Sequence, residues 1–316
     1  MFEAVVSSRA VTVMTFVLLV LAAGCSGASE ERVNQATPVT ATTEGRNAQE
    51  TSDRREASDL HFFPATYRDA DRIVLPVTFT DGTHAELVYP SKLDVAGLGG
   101  GPYGSGRLKG ESLTRGRSDV VGRDFWIFYG EVEDVVLSLN GGKMPRLLAE
   151  YQGVGQTVGL WDFRSDHNAD YLAFQFGRWV VLVYDYASDG DLPGAAMTDA
   201  ERASWSASFS GRETVDGFLR LEGAGPLRLT RAGENAGPQL SFGSVEPQRS
   251  LTLYPGPCRP HRDQTRLVYG RLVEWSRGFA DWCLSTSMRI HAGGRDRFIG
   301  ALIRDLQVRN VALASA

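Results

Sequence analysis

The group of residues that most resembles a catalytic cluster in this sequence is Asp166, His167 and Asp170. An imidazole between carboxylates can bind a divalent metal or activate a water molecule. The three residues also lie between two β-rich runs, where Asp and Asn are common turn residues. A turn is therefore the favoured interpretation, and catalysis by Asp166, His167 and Asp170 is the alternative.

A second acidic group, Asp185, Asp189 and Asp191, follows a predicted strand. Its spacing is partly that of a calcium-binding loop, but Ala187 and Ala196 occupy the third and twelfth positions, where oxygen ligands are needed. An acidic turn is favoured, with weak calcium binding as the alternative.

Other sequence patterns that could form a catalytic or binding site are excluded by their context. Gly99–Gly104 matches a dinucleotide-binding fingerprint, but that fingerprint must follow a strand and open a helix. Here a short helix is predicted before it and a polar run after it, so we predict a surface loop. Glu131, Glu133 and Asp134 are adjacent on a predicted strand and cannot converge across a substrate. The five histidines are scattered, and no cofactor is predicted.

The stretch Leu21–Cys25 ends an apolar run, Ala10–Ala23, that is too short to span a membrane. It resembles the lipobox of bacterial lipoproteins. This resemblance implies that residues 1–24 are a signal peptide and that Cys25 carries a diacylglyceryl group, with palmitate as a typical acyl chain. An ordinary signal peptide cleaved nearby and an uncleaved anchor helix are the alternatives.

Residues 25–59 are predicted to be the lipidated cysteine and a disordered tether. Ser26–Ser58 contains no Leu, Ile, Phe, Trp, Tyr or Met, so it cannot bury enough apolar surface to offset the entropy of ordering. The globular domain is predicted over residues 60–316. The whole chain has a net charge of −5 and contains no long basic run. Nucleic acid is therefore excluded as a partner.

Cys258 and Cys283 are the two cysteines beyond Cys25. In an exported protein an isolated pair is expected to form a disulfide. Two buried thiols that never meet are the alternative.

The pattern of apolar residues predicts an α+β fold, mainly antiparallel sheet with a few helices. Hairpins are predicted around Asp81-Gly82 and Gly177-Arg178, and helices over Thr198–Phe209 and Asp296–Leu306. Single strands are predicted at several further places: Val132–Leu139, Val158–Phe163, Leu251–Tyr254, Leu284–His291 and Val308–Leu313. A turn is predicted at Gly293-Gly294, directly after the fourth of these strands.

A repeated order of strand, turn, helix and strand suggests two similar halves, residues 60–211 and 212–316.

Together these features predict a domain tethered through Cys25 to the extracytoplasmic face of the cell membrane. Its expected role is non-catalytic binding or scaffolding, with an extracellular protein, a glycan or a small apolar ligand as partner. The alternatives are a surface-anchored hydrolase that uses Asp166, His167 and Asp170, and a carrier of an apolar ligand lined by surplus aromatic residues.

Overall fold

We describe a computed structural model of the chain over residues 61–98, 103–112, 119–163, 169–186, 196–225, 227–244, 249–259 and 265–314. These residues belong to one compact unit that begins at Arg55. The predicted signal peptide, Cys25 and the tether before residue 61 lie outside the described residues.

The described part of the chain is an α+β fold in which antiparallel strands dominate, as predicted. The strands are β1 (Tyr67–Asp69), β2 (Arg72–Thr78), β3 (His84–Pro90), β4 (Tyr103–Ser112), β5 (Asp119–Tyr129), β6 (Arg146–Gln152), β7 (Thr157–Asp162), β8 (Asp170–Phe176), β9 (Trp179–Tyr184), β10 (Phe209–Glu213), β11 (Leu219–Gly223), β12 (Arg228–Leu229), β13 (Gln239–Ser244), β14 (Arg249–Pro255), β15 (Thr265–Val268), β16 (Arg271–Ser276), β17 (Phe279–Ser285), β18 (Met288–Gly294) and β19 (Gln307–Ala312). The α-helices are α1 (Val132–Leu139), α2 (Asp199–Ser208) and α3 (Asp296–Asp305).

A large sheet runs in the order β15-β16-β17-β18-β14-β13-β4-β5-β9-β8-β7-β6, and β12 adds to β4. The central pair, β13 and β4, is antiparallel. Smaller sheets have the orders β1-β2-β3-β19 and β10-β11. The last strand, β19, therefore pairs with β3 near the start of the domain.

The core consists of three clusters of buried side chains. One joins β2, β3 and α3 to the β13–β18 part of the large sheet. A second joins α2, β10 and β11 to one face of the β4–β9 part, and a third packs α1 on the opposite face of that part. The aromatic residues of β5, β8 and β9 are divided between these two faces, which explains why they occur at both odd and even positions.

The predicted hairpins are confirmed. β2 and β3 are joined by a turn in which the backbone N–H of Gly82 donates to Phe79, and Gly82 has a φ of +89°. β8 and β9 are joined at Gly177, whose φ is +63°. Glycine takes these left-handed conformations without the steric cost of a Cβ atom. The predicted helices also form, as α2 and α3.

The predicted strand Val132–Leu139 is wrong, because this segment forms α1. Val132, Val135, Val136 and Leu139 have helical spacing, and the acidic residues of the first turn favour a helix N-terminus. Gln175 completes the start of the helix, since its Oε1 accepts from the Val132 N–H at 3.0 Å. The adjacent carboxylates of Glu131, Glu133 and Asp134 thus surround a helix N-terminus.

The surface loop predicted over Gly99–Gly104 is also wrong in part, since β4 begins at Tyr103 and continues to Ser112. Three glycines of β4 lie beneath large side chains. A Cβ atom would lie 2.7 Å from Ile127 at Gly104, 2.8 Å from Phe125 at Gly106 and 2.6 Å from Trp205 at Gly110. These glycines therefore let core side chains approach the backbone closely.

The single strand predicted over Leu284–His291 is instead a hairpin of β17 and β18, which turns at Thr286 and Ser287. Gly293 and Gly294, predicted to form a turn, are the last residues of β18. The hairpin brings Asp281 opposite His291.

Candidate binding face

A row of polar residues crosses four adjacent strands: Ser241 on β13, Thr252 on β14, His291 on β18 and Asp281 on β17. Each is the direct cross-strand partner of the next. The residues that flank them along the strands are buried in the core, among them Leu240, Phe242, Leu251, Leu253, Ile290, Ala292, Ala280 and Trp282. Because side chains alternate along a strand, the row lies on the opposite face of the sheet.

Hydrogen bonds order this row. The hydroxyls of Ser241 and Thr252 lie 2.8 Å apart, and His291 Nδ1 lies 2.9 Å from Asp281 Oδ2. Since a carboxylate only accepts, the Nδ1–H group donates this hydrogen bond to Asp281, and Nε2 is the remaining polar atom of the ring. His291 and Asp281 are each about one third exposed.

Phe279 places an aromatic ring beside the row. Its side chain is 37 % exposed, and its ring lies against the His291 imidazole with centroids 5.6 Å apart and an angle of 21° between the planes. Gly293 lies between Ser250 and Phe279, and a Cβ atom there would be 2.6 Å from the Ser250 hydroxyl and 3.3 Å from the Phe279 ring. The missing side chain at Gly293 therefore leaves room for this ring.

Tyr254 and Arg289 occupy the same face, two residues along β14 and β18 from the row. They are cross-strand partners, and the Arg289 guanidinium lies 4.2 Å from the centre of the Tyr254 ring. Burial raises the pKa of the Tyr254 phenol, although the Arg289 charge opposes the shift. Tyr254 is therefore a neutral hydroxyl at neutral pH. We call Ser241, Thr252, Tyr254, Phe279, Asp281, Arg289 and His291 the candidate binding face.

Of the three candidate residues of the hydrolase alternative, Asp170 lies within the described residues, and it is not part of this face. Asp170 is the first residue of β8 and is only 4 % exposed, and its carbonyl oxygen accepts from the Asp185 N–H at 2.9 Å. Asp166 and His167 lie outside the described residues.

Asp185, a candidate ligand in the alternative of weak calcium binding, is held in a buried ion pair. Both carboxylate oxygens accept from the Arg202 guanidinium, at 2.9 and 2.8 Å, and these hydrogen bonds raise the pKa of Arg202. The Asp185 carbonyl oxygen also accepts from Arg123. Asp189 and Asp191 lie outside the described residues. Within the described ranges, no group of three or more His, Cys, Asp and Glu side chains could hold a metal ion.

The predicted disulfide between Cys258 and Cys283 is present. It ties the segment after β14 to β17, close to the candidate binding face.

A cavity of about 10 Å³ lies on the core side of the central strands, between Thr78, Thr80, Gly104, Trp179 and Leu240. This volume accommodates at most one water molecule. It does not provide a site for the apolar ligand of a carrier.

No helix in the described ranges is long and apolar enough to cross a membrane. Comparisons of the chain with protein-family models, curated proteins and solved structures found no match.

Sequence reasoning did not identify the candidate binding face. His291 is one of five scattered histidines and ends the predicted strand Leu284–His291, and no motif in the sequence marks Asp281. A register counted from the turn at Thr286 and Ser287 alone would place Asp281 opposite Ala292. A β-bulge between Cys283 and Ser285 shifts the pairing by one residue, so Asp281 lies opposite His291.

Proposed function

We propose that this chain is an exported lipoprotein, anchored through Cys25 to the extracytoplasmic face of the cell membrane, and that its β-rich domain is a non-catalytic binding module. The lipobox-like stretch Leu21–Cys25 supports the anchor. Two or three acyl chains would hold the protein at the membrane essentially permanently, because each buried methylene contributes about 0.8 kcal/mol.

The single observation that carries the export part of this proposal is the disulfide between Cys258 and Cys283. Stable disulfides are typical of oxidising compartments and rare in the cytosol. The candidate binding face supports the binding part, since it offers hydroxyl, imidazole, carboxylate and aromatic groups on an accessible sheet surface.

A surface hydrolase is the second candidate, favoured by the hydrogen bond between His291 Nδ1 and Asp281. A carboxylate that orients an imidazole in this way is one element of a general-base mechanism. Purified domain should then cleave chromogenic esters or glycosides, and His291→Ala should abolish the activity. Equal turnover by the wild-type protein and this variant would eliminate the candidate.

We also infer that the domain consists of two similar halves. The order β4-β5-β9-β8-β7-β6 on one side of the central pair matches β13-β14-β18-β17-β16-β15 on the other. In each half a helix and one strand follow, α2 with β10 and α3 with β19. This order favours a boundary after β10, at Glu213, rather than at residue 211.

The anchor is tested by the Cys25→Ser variant expressed with its full leader. We expect wild-type protein in the membrane fraction with an acylated N-terminal cysteine by mass spectrometry, and the variant in the soluble fraction. The double variant Cys258→Ser/Cys283→Ser is the control, and it should remain at the membrane. A wild-type N-terminus without acylation would refute the anchor.

A further inference from the structure

We propose that the candidate binding face binds a neutral carbohydrate chain. This inference rests on the proposed function, because it names the ligand class of the binding module.

The row of polar side chains suits a ligand with many hydroxyl groups. Ser241 and Thr252 supply hydroxyls that both donate and accept, Asp281 accepts, and His291 Nε2 provides a further polar atom. With strands about 4.8 Å apart, the row is about 14 Å long. It therefore fits an extended chain better than a single small molecule.

Phe279 supplies the apolar part of the site. Its exposed ring is held against His291, and Gly293 leaves space for it. A sugar ring presents C–H groups on its faces and hydroxyls at its rim, so an aromatic ring beside a polar row matches both kinds of surface.

The charges favour a neutral ligand. Asp281 and its cross-strand partner Glu274 bring two carboxylates to this surface, and Arg289 brings one guanidinium that already lies over Tyr254. An anionic polymer would be repelled by the carboxylates.

The other end of the large sheet, at β8 and β9, shows that an apolar surface of this sheet is covered by a helix. There the face away from α2 carries Ala173, Val180 and Leu182, and α1 packs on it through Val135 and Val136. At β14, β17 and β18 the corresponding face carries Thr252, Asp281 and His291 instead. Hydroxyls and charges favour a hydrated ligand over an apolar helix, because an apolar element would remove the water around them and offer no hydrogen bonds in return.

The experiment titrates the purified domain with cellohexaose, maltohexaose and chitohexaose by isothermal calorimetry, with oligogalacturonate as the anionic comparison. We expect at least one neutral hexasaccharide to bind and the anionic one to bind more weakly. Phe279→Ala should weaken binding about fivefold or more, through loss of ring contact. His291→Ala should weaken it similarly, since it removes one member of the hydrogen-bonded pair. Asp281→Asn should weaken it less, because the amide oxygen still accepts from Nδ1 but without the charge of the carboxylate.

Two variants serve as matched controls. Phe63→Ala removes another exposed ring beside a histidine, with its centroid 6.4 Å from that of His61. Asp69→Asn alters an exposed carboxylate that pairs with Arg309. Both should bind like the wild type.

If the Phe279 or His291 variants lose their near-ultraviolet circular dichroism, ligand-induced shifts of these two residues in the wild-type NMR spectrum replace the affinity comparison. Binding that leaves both residues unshifted, or equal binding by all variants, would overturn the inference. A domain that is acylated at Cys25 but binds no neutral oligosaccharide would refute this inference and leave the anchor intact.

Discussion

Buried polar side chains show how single residues constrain this domain. Asp185 and Arg202 exclude water from both carboxylate oxygens, and the pair lies where the sequence suggested a cation site. Removal of one partner from such a pair is strongly destabilising, because the remaining charge is left buried and uncompensated. The Asp185 carboxylate is therefore committed to Arg202.

Tyr89 provides a pH-dependent test of the core. Its side chain is 1 % exposed, and burial raises the pKa of the phenol to about 12 from 10.0. Between these values the unfolded chain loses the Tyr89 proton while the folded chain keeps it. The folded state therefore loses stability as pH rises through this window, by up to about 1.4 kcal/mol per pH unit for this residue.

We expect the free energy of unfolding in urea to fall less steeply above about pH 10 in Tyr89→Phe than in the wild type. Below about pH 10, where the Tyr89 phenol is protonated in both states, the two proteins should show the same slope, and this range is the internal control. The same slope above pH 10 would mean that Tyr89 ionises equally in the folded and unfolded states.

At the scale of elements, the sequence was informative wherever local chemistry and tertiary packing agree. The hairpins at Asp81-Gly82 and Gly177 are predictable from the sequence, because glycine at these turns takes a positive φ. Residues 286 and 287 are Thr and Ser, which carry no such signal, so the β17–β18 hairpin was missed. The pair Asp281–His291 was not predicted either, because its proximity depends on the turn of this hairpin.

Helix α1 was missed for a different reason. Three of its eight residues are valine, which favours strands, and its length is short for recognition by period alone. The N–H of its first residue is paired by the side chain of Gln175, which lies 43 residues away in sequence. A contact of that kind cannot be predicted from local pattern.

Helix α2 offers the clearest local test. Thr198 caps it, accepting from the Glu201 N–H at 3.2 Å, while the Glu201 carboxylate accepts from the Thr198 N–H at 2.7 Å. Thr198→Ala should lower the free energy of unfolding by about 1 kcal/mol, since one helix N–H loses its partner. Chemical denaturation measures the change. Thr198→Ser keeps the hydroxyl and should retain most of the stability, and equal losses in both variants would contradict the role of the cap.

At the scale of the whole molecule, the ends of the domain are interdependent. β19 completes a sheet with β3, and α3 contributes Ile299, Leu302 and Ile303 to the same core as Leu75 and Leu87. β10 similarly pairs forward with β11. The division between the proposed halves therefore cuts through a shared core.

This interdependence predicts the behaviour of a split domain. The turn between β10 and β11 is the place to cut, because Val215 is fully exposed there. Fragments 55–215 and 216–316 should each remain unfolded alone, since the first would expose Leu75 and Leu87 and the second would lack the sheet on which β19 pairs. Mixed together, they should form one complex with the near-ultraviolet circular dichroism of the intact domain and a single unfolding transition. A fragment that shows dispersed NMR signals on its own would demonstrate an autonomous half and contradict the shared core as the unit of folding.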